Sequence, residues 1–497
     1  MNQAITGDPT PGSDRAAGIP AGPDLSATRR DAAAVLAGHV ATGTVPEASR
    51  RAAARLALDT IGAAIAAHDA AGLPGIRRVI EGWGGRPDAT VIGTGARVPA
   101  HNAALVNSAL ARAMELDDVH EQALVHATAT TVPVALAVAE QAGGVSGRRF
   151  IDAVALGNDI ACRLALAVDM RLGGADRRPR VMSLTYQTGV LAGSLVAGRV
   201  AGLDSGQLLN CLGVGYSQVA GNLQGLFEGT LTVRLQQGIA AQSAVMALEF
   251  ARAGITGAHD ALEGRAGWYP AFFGGRYGYV RDRLTGGLGE TFRGDEISIK
   301  PYACCKYGHN AITAVIALHD DPGISPGSIA EVVVRVGQDT WDIICDPVSV
   351  KASPEQLAGP DGLALAQFSL PFMVATALLR GRLSAAELDA GWRADPALAS
   401  LLPRVTIVVD DADLTPDMIP EPGRVEVVLA DGRRRTAEAT RTPGHPEHPL
   451  DDAALHAKFR SCTRRLGSRG TEALLEALTH LDEVEDMRQV ARLTVPE

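Results

Sequence analysis

The chain has 497 residues, 46% of them hydrophobic, 4% aromatic and 21% charged, so it can bury a large core, and its length points to two domains or more. A net charge of −10 with scattered Lys and Arg sets nucleic acid aside as a partner, and no apolar run reaches the ~18 residues of a membrane span. The start is rich in Gly, Pro and Asp rather than basic and then apolar, so a cytoplasmic protein is expected.

Residues 1–25 read as a flexible tail, after which Asp24 or Ser26 is placed to cap a helix running toward Gly38. Thr44 and Pro46 open a second helix, in which Leu58, Ile61 and Ile65 recur at helical spacing, and the pattern returns at 99–114, 132–141, 148–171, 189–200 and 236–253. A brief segment at 90–93 reads as a small strand. Ala and Gly dominate and aromatics are scarce, which favours helices packed closely through small side chains. Past Phe292 the period drops to two: Val332, Val334 and Val336 alternate with Glu331, Val333 and Arg335, and 405–409 is another β-branched run. The runs 425–429 and 435–439 flank Asp431-Gly432 as a hairpin with a type I′ corner, while 364–379 and 385–392 look helical. From residue 450 the helical pattern resumes through Leu455, Phe459, Leu474, Leu475 and Leu478. The fold class is therefore mainly α: a large helical domain (26–290 plus 450–497) with a smaller α+β lid domain (291–449) inserted before the C-terminal helices.

Four patches concentrate ionisable groups, two of them weaker: Arg163 in the helix 158–171, and Arg234 in the stretch 232–238. The first is Glu115-Leu116-Asp117-Asp118-Val119-His120, followed by His126. It directly follows an apolar helix, so its acids sit where the helix dipole disfavours negative charge by ~0.3 to 1 kcal/mol each, and something must compensate. It is either a solvated turn or an acid/base group held by a neighbouring carboxylate. The second is Lys300-Pro301-Tyr302-Ala303-Cys304-Cys305-Lys306-Tyr307-Gly308-His309, at the passage between the two domains, where ligand sites favour interdomain crevices. It offers cations for carboxylates and several proton carriers. Zinc would use Cys304, Cys305 and His309, but adjacent cysteines rarely share a tetrahedral ion and no second pair completes the set. The six cysteines show no framework spacing and are expected reduced. Arg163 and Arg234 either clamp a carboxylate or form interhelical salt bridges. No GxxxxGK[ST], no GxGxxG after a strand and no GxSxG occurs, so a nucleotide cofactor has no visible seat and a serine hydrolase is disfavoured.

Residues 115–120, then His126-Ala127-Thr128 and Val132-Pro133-Val134-Ala135-Leu136, resemble the "E-F-D-D-T-H", "H-P-S" and "V-x-P-A-A-L-A" stretches of the MmgE/PrpD family. Ala155-Leu156-Gly157-Asn158-Asp159 with Arg163-Leu164 resembles "G-Y-E-V-x-x-R-L", and Leu262-Glu263-Gly264 resembles "L-E-G". Residues 300–309 resemble "K-P-Y-P-C-C-R-Y-T-H", and Gln367-Phe368-Ser369-Leu370-Pro371 resembles "A-Q-F-S-L-P-Y". The resemblance covers about residues 30–460.

It implies a helical domain with an α+β lid, a homodimer, and chemistry without cofactor or metal on small polycarboxylates: 2-methylcitrate dehydration, cis-aconitate decarboxylation or iminodisuccinate epimerisation. Each passes through a carbanion or enolate beside a carboxylate, so cations must hold negative groups while a positioned group moves a proton. On that basis His126 is expected to transfer the proton, Lys300 to neutralise a carboxylate, and Glu115, Asp117 and Asp118 to orient neighbours. Cys305 stands where some relatives place a second catalytic histidine, with His309 one turn away. Tyr186, Arg234, Gln236, Tyr302 and Lys306 complete the expected substrate-binding set. The chain departs from the family at Val233 and Gln236, where "K-R-L-H-x-G" has lysine and histidine, at Val119 for threonine, and near Ser183, Thr185 and Tyr186, where an "F-H-P-T" histidine is lost. A buried carboxylate without its cation costs several kcal/mol, so these changes predict fewer or differently placed substrate carboxylates. A lyase is the leading expectation, an epimerase or isomerase the alternative, and a retired member that only binds acids the third.

Overall fold

The computed structural model describes residues 30–169, 182–274, 277–345, 352–359, 362–410 and 421–496. The expected tail at 1–25, the caps Asp24 and Ser26, and Arg171 lie outside the described residues. Residues 31–497 form one compact unit, mainly α with a small sheet. Among the described residues no helix is long and apolar enough to cross a membrane.

The first described helix, Ala32–Thr42, is capped by Asp31, whose carboxylate accepts from the amide of Ala33. The other Asp31 oxygen accepts from the amide of Glu263, and Glu263 returns the favour by accepting from the amide of Ala32. This satisfies orphan donors at the helix start, so the glutamate of the "L-E-G" stretch is a structural tie. The helices Glu47–Ala66, Ala100–Ala113, Leu184–Ala201 and Thr232–Arg252 fall where the apolar spacing put them. Thr128–Ala142 begins earlier than its Val132 signal and holds Pro133 inside the helix, where the missing amide leaves out one i→i−4 hydrogen bond. Gly147–Leu166 starts on its Ser146 cap but stops short, and Val168–Asp169 pairs instead with Gly278–Tyr279. Arg163 supports that end: its guanidinium binds Asp159 and the carbonyls of Gly286, Gly287 and Thr291. Its carboxylate partner is on the same helix, four residues earlier, so Arg163 ties a loop to its own helix rather than forming the interhelical salt bridge, one of its two expected roles.

Helices Ala100–Ala113, Thr128–Ala142, Leu184–Ala201 and Thr232–Arg252 pack mutually as the core of the body. Close approach depends on small residues: a Cβ on Gly193 would lie 2.8 Å from Ala244, and one on Gly157, of the neighbouring helix Gly147–Leu166, 2.1 Å from Val196. The C-terminal helix Asp452–Cys462 packs on Glu47–Ala66, and Lys458 reaches back to Asp59 at 2.6 Å and to the carbonyl of Leu116.

The sheet has four strands in the order Val405–Val409, Ile329–Val336, Gly423–Leu429, Arg434–Ala439; the first pair is parallel and the others antiparallel. Helix His309–His319 packs on it and on Leu370–Arg380. The hairpin corner differs from expectation: Gly432 has φ +82° but Asp431 does not leave the negative-φ region, and the Gly432 amide bonds to the Leu429 carbonyl at 2.9 Å. That is a type I turn closed by a left-handed glycine, which spares Asp431 the positive φ a type I′ corner demands. The expected helix 364–379 is two, Gly362–Gln367 and Leu370–Arg380, because Ser369 caps a new start and Pro371 follows it. Likewise Asp389 divides 385–392 into Ala385–Leu388 and Ala390–Arg393.

Candidate active site

Helix Ala100–Ala113 ends at Met114, and the chain turns through Glu115, a non-glycine residue at φ +52°. A side chain in the left-handed region costs of order 1–3 kcal/mol and persists only where surroundings fix it. Here an ion cluster does so. Arg112 bonds Glu115 and stands 3.2 Å from Asp117, while Lys300 Nζ donates to Glu115 Oε2 at 3.1 Å and lies 3.5 Å from Asp117 Oδ1. Lys300 is brought there by a bridge in which Val119 and Ser298 exchange amide hydrogen bonds. The two patches, 180 positions apart in sequence, therefore meet. The compensation demanded by acids at a helix C-terminus comes from Arg112 and Lys300.

A second left-handed residue, Leu124 at φ +55°, closes the turn between His120 and Val125, and His126 follows it. His126 Nδ1 is 2.7 Å from the carbonyl of Asp118 and 2.9 Å from Asp117 Oδ2. A carbonyl cannot donate, so Nδ1 carries the proton and Nε2 keeps its lone pair. Burial acts to raise the Asp117 carboxyl, but Arg112, Lys300 and His126 hold it well below the usual range; Glu115 is likewise lowered against its burial by Arg112 and Lys300. Burial pushes His126 down, Arg112 adds to that, and Asp117 opposes it. At neutral pH the arrangement is an ionised Asp117 holding a neutral imidazole. Asp118 behaves differently: burial, with the charges of Asp117 and Asp59, pushes its carboxyl up to about 7 in spite of the facing Thr128.

His126 opens onto a cavity of about 150 Å³. Its charged lining is Arg112, Glu115, Glu121 and Lys306, with Lys306 Nζ donating to Thr442 at 2.7 Å and lying 2.9 Å from Glu121. Tyr186 and Cys305 also line it. Tyr186 donates to the Val233 carbonyl at 2.9 Å. Burial pushes the Cys305 thiol up to about 11, so it is neither thiolate nor nucleophile at neutral pH.

The other expected residues stand elsewhere. Lys300, Asp117 and Asp118 are fully buried behind the cavity wall. His309 is buried with Nε2 3.2 Å from the Cys304 carbonyl, and Tyr302 packs on its ring and meets Thr313; neither lines the cavity. Arg234 sits in a small adjoining pocket, donating to the carbonyl of Ala71 and to Gln367. Gln236 grips the backbone of Asn222, which does line the cavity. Arg112 and Glu121 were not singled out from sequence; an arginine three residues before Glu115 in an Ala-rich helix was the available signal. Among the described residues no group of three or more His, Cys, Asp or Glu is placed to hold a metal ion.

A mainly helical body with a small sheet and a buried acid–imidazole cluster defines the class, and comparison with known proteins agrees with it. Residues 32–279 match the MmgE/PrpD N-terminal domain and residues 302–483 the MmgE/PrpD C-terminal domain. The chain belongs to the MmgE/PrpD family. It is 29% identical over 233 residues to a cis-aconitate decarboxylase of Aspergillus terreus, covering 45% of this chain and 46% of that protein. To a cis-aconitate decarboxylase-like protein of Aspergillus oryzae it is 28% identical over 240 residues, 46% and 48% of the two chains. The matches thus span about half the length of these curated relatives.

Proposed function

We propose that the chain is a lyase acting on a small carboxylic acid, with His126 moving the proton at the carbon next to a carboxylate and no cofactor taking part. The observation that carries this is the hydrogen bond of His126 Nδ1 to the Asp118 carbonyl, with the Asp117 carboxylate 2.9 Å from the same nitrogen, which leaves Nε2 as a base at the cavity. In a dehydration, Nε2 takes the α-proton and the electron pair spreads into the adjacent carboxylate, facing Arg112 and Lys306. The pair then expels the β-hydroxyl, which leaves as water with a proton from Lys306, whose ammonium burial makes more acidic against the pull of Glu121. A carbon–carbon double bond remains, and the proton taken by His126 passes through solvent to recharge Lys306, restoring both groups.

Decarboxylation is the second reading, favoured by the names of the relatives. There the carbon–carboxylate bond breaks, its electron pair stays on carbon, CO₂ departs, and a protonated His126 delivers the proton. The two differ in pH dependence: a neutral base gives activity that rises with pH through the His126 ionisation, an imidazolium acid gives activity that falls. Proton NMR in D₂O with citrate, 2-methylcitrate, cis-aconitate and iminodisuccinate tests the proposal. A new vinylic signal without CO₂ marks dehydration and released CO₂ marks decarboxylation. Deuterium exchange alone across the panel refutes a lyase in favour of an epimerase. The homodimer implied by the family resemblance is checked by light scattering.

A further inference from the structure

Charge and shape in the cavity can be set against each other. The charges at and just behind its wall are already paired: Arg112 and Lys300 face Glu115 and Asp117, and Lys306 faces Glu121. His126 is neutral there, and Asp118, pushed up to about 7, adds partial negative charge and no positive charge. A tricarboxylate would bring three negative charges toward a site whose one described cation with only neutral hydrogen-bond partners is Arg234, in the adjoining pocket, and desolvated charge without a partner is costly. Much of the remaining lining is apolar: Leu223, Leu226, Phe272, Phe273, Ile343 and Phe368 come to it from four separate stretches of chain. Polycarboxylate recognition does not call for such a wall, because a carboxylate beside it loses water and gains no hydrogen bond. Apolar pockets with a few convergent polar groups hold ligands that are themselves apolar at one end.

We infer that the substrate is amphipathic: one or two carboxylates at the Arg112–Lys306 pole beside His126, and a hydrocarbon substituent, alkyl or aryl, against the wall formed by Leu223, Leu226, Phe272, Phe273, Ile343 and Phe368. This rests on the proposed reaction for the position of the reacting carbon, but the wall selects its ligand whatever the chemistry. Leu226 and Phe368 also line the small adjoining pocket that contains Arg234.

The test uses the full-length protein and ligands that cannot react. Calorimetric titration with succinate, 2-methylsuccinate, 2-butylsuccinate, 2-octylsuccinate and the tricarboxylate tricarballylate reads affinity alone. Burying a methylene is worth about fourfold in affinity, so binding should tighten about fourfold per carbon until the cavity is full, and 2-butylsuccinate should outbind tricarballylate. In Leu226→Asn the increment per methylene should fall toward one. Affinities of succinate and 2-butylsuccinate within twofold of each other overturn the inference. So does tightest binding of tricarballylate, or an undiminished increment in both Leu226→Asn and Phe368→Asn. Failure of the lyase reading shows separately, as absence of turnover of alkyl-substituted malates and maleates by a protein that still binds the succinates with rising affinity.

Discussion

Replacing Lys300 by methionine isolates the electrostatic logic of the site. Lys300 Nζ lies 3.1 Å from Glu115 and 3.5 Å from Asp117, and at an effective dielectric of about 20 the two attractions lost sum to roughly 10 kcal/mol. Against this stand the relief of burying an ammonium and of its repulsion with Arg112, so the net loss of stability should be about 3–5 kcal/mol, as when a buried pair loses one partner. The pH dependence is the sharper readout. In the native protein Glu115 and Asp117 have lowered folded-state values, so their contribution is present above the unfolded carboxylate range and lost as pH falls through the folded values. Without Lys300, burial dominates and at least one of them rises above its unfolded value; the variant then takes up a proton on folding and is relatively less penalised in acid. Calorimetric melting temperatures of native and variant protein should therefore differ more at pH 8 than at pH 5, and Glu115→Gln in the variant background should recover part of the difference at pH 8. A difference that is independent of pH, or equivalent to less than about 1 kcal/mol, would refute the reasoning.

His126→Gln should lower kcat by about 10²–10⁴ with a melting temperature close to native, measured on whichever substrate the NMR panel identifies. Asp117→Asn should lower kcat and move the His126 inflection of the pH–rate profile down, because Asp117 opposes the depression of that imidazole. Asp118 has a folded-state carboxyl raised to about 7, so the folded chain binds more protons than the unfolded one between about pH 4 and 7 and stability declines as pH rises through that window. Asp118→Asn should consequently raise stability at pH 8 by on the order of 2–4 kcal/mol, read as a higher melting temperature, and leave it near native at pH 5. Iodoacetamide at pH 7.5 should leave Cys305 unlabelled on the native fold, as mass spectrometry of the digested protein would report, since its thiol is pushed up to about 11.

The helical body was legible because 3.6-residue spacing over long segments is a strong signal, and the convergence of 115–126 with Lys300 was legible because both patches carry more charge than a solvated face needs. What sequence could not supply was depth. Lys300 and His309 look equally available in the string, yet one is sealed behind Glu115 and Asp117 and the other beneath Tyr302 and the Cys304 carbonyl. The spacing of a loop segment does not say which side of a cavity wall each side chain takes. Arg112 was overlooked for a related reason: on an Ala-rich helix it reads as a solvated end-of-helix cation, and only the left-handed turn at Glu115 folds the acids back upon it. The hairpin corner and the split at Ser369 show the finer failure, where a local motif admits two backbone solutions and the neighbouring strands or caps choose between them.

The two departures at Val233 and Gln236 acquire a physical meaning in this setting. Val233 is buried on the cavity wall and its carbonyl accepts the Tyr186 hydroxyl, so the position where the resembled motif "K-R-L-H-x-G" has a lysine contributes methyl groups to the same lining as Leu226 and Phe368. Gln236, at the histidine position, has turned its amide to the backbone of Asn222 and thereby fixes the stretch that brings Asn222 and Leu223 to the cavity. A site that merely decayed would be expected to leave buried carboxylates short of cations where a lysine was lost. Instead Glu115 keeps Arg112 and Lys300, and Glu121 keeps Lys306. The loss of positive charge is matched by a gain of apolar surface, and that pairing favours a changed ligand over an abandoned one. Val233→Lys is then the decisive reversal: a cation returned to the wall should weaken binding of 2-butylsuccinate relative to succinate and strengthen tricarballylate. If the order of the three ligands is unmoved in that variant, position 233 does not govern selectivity and the exchange at this wall carries no meaning for the ligand.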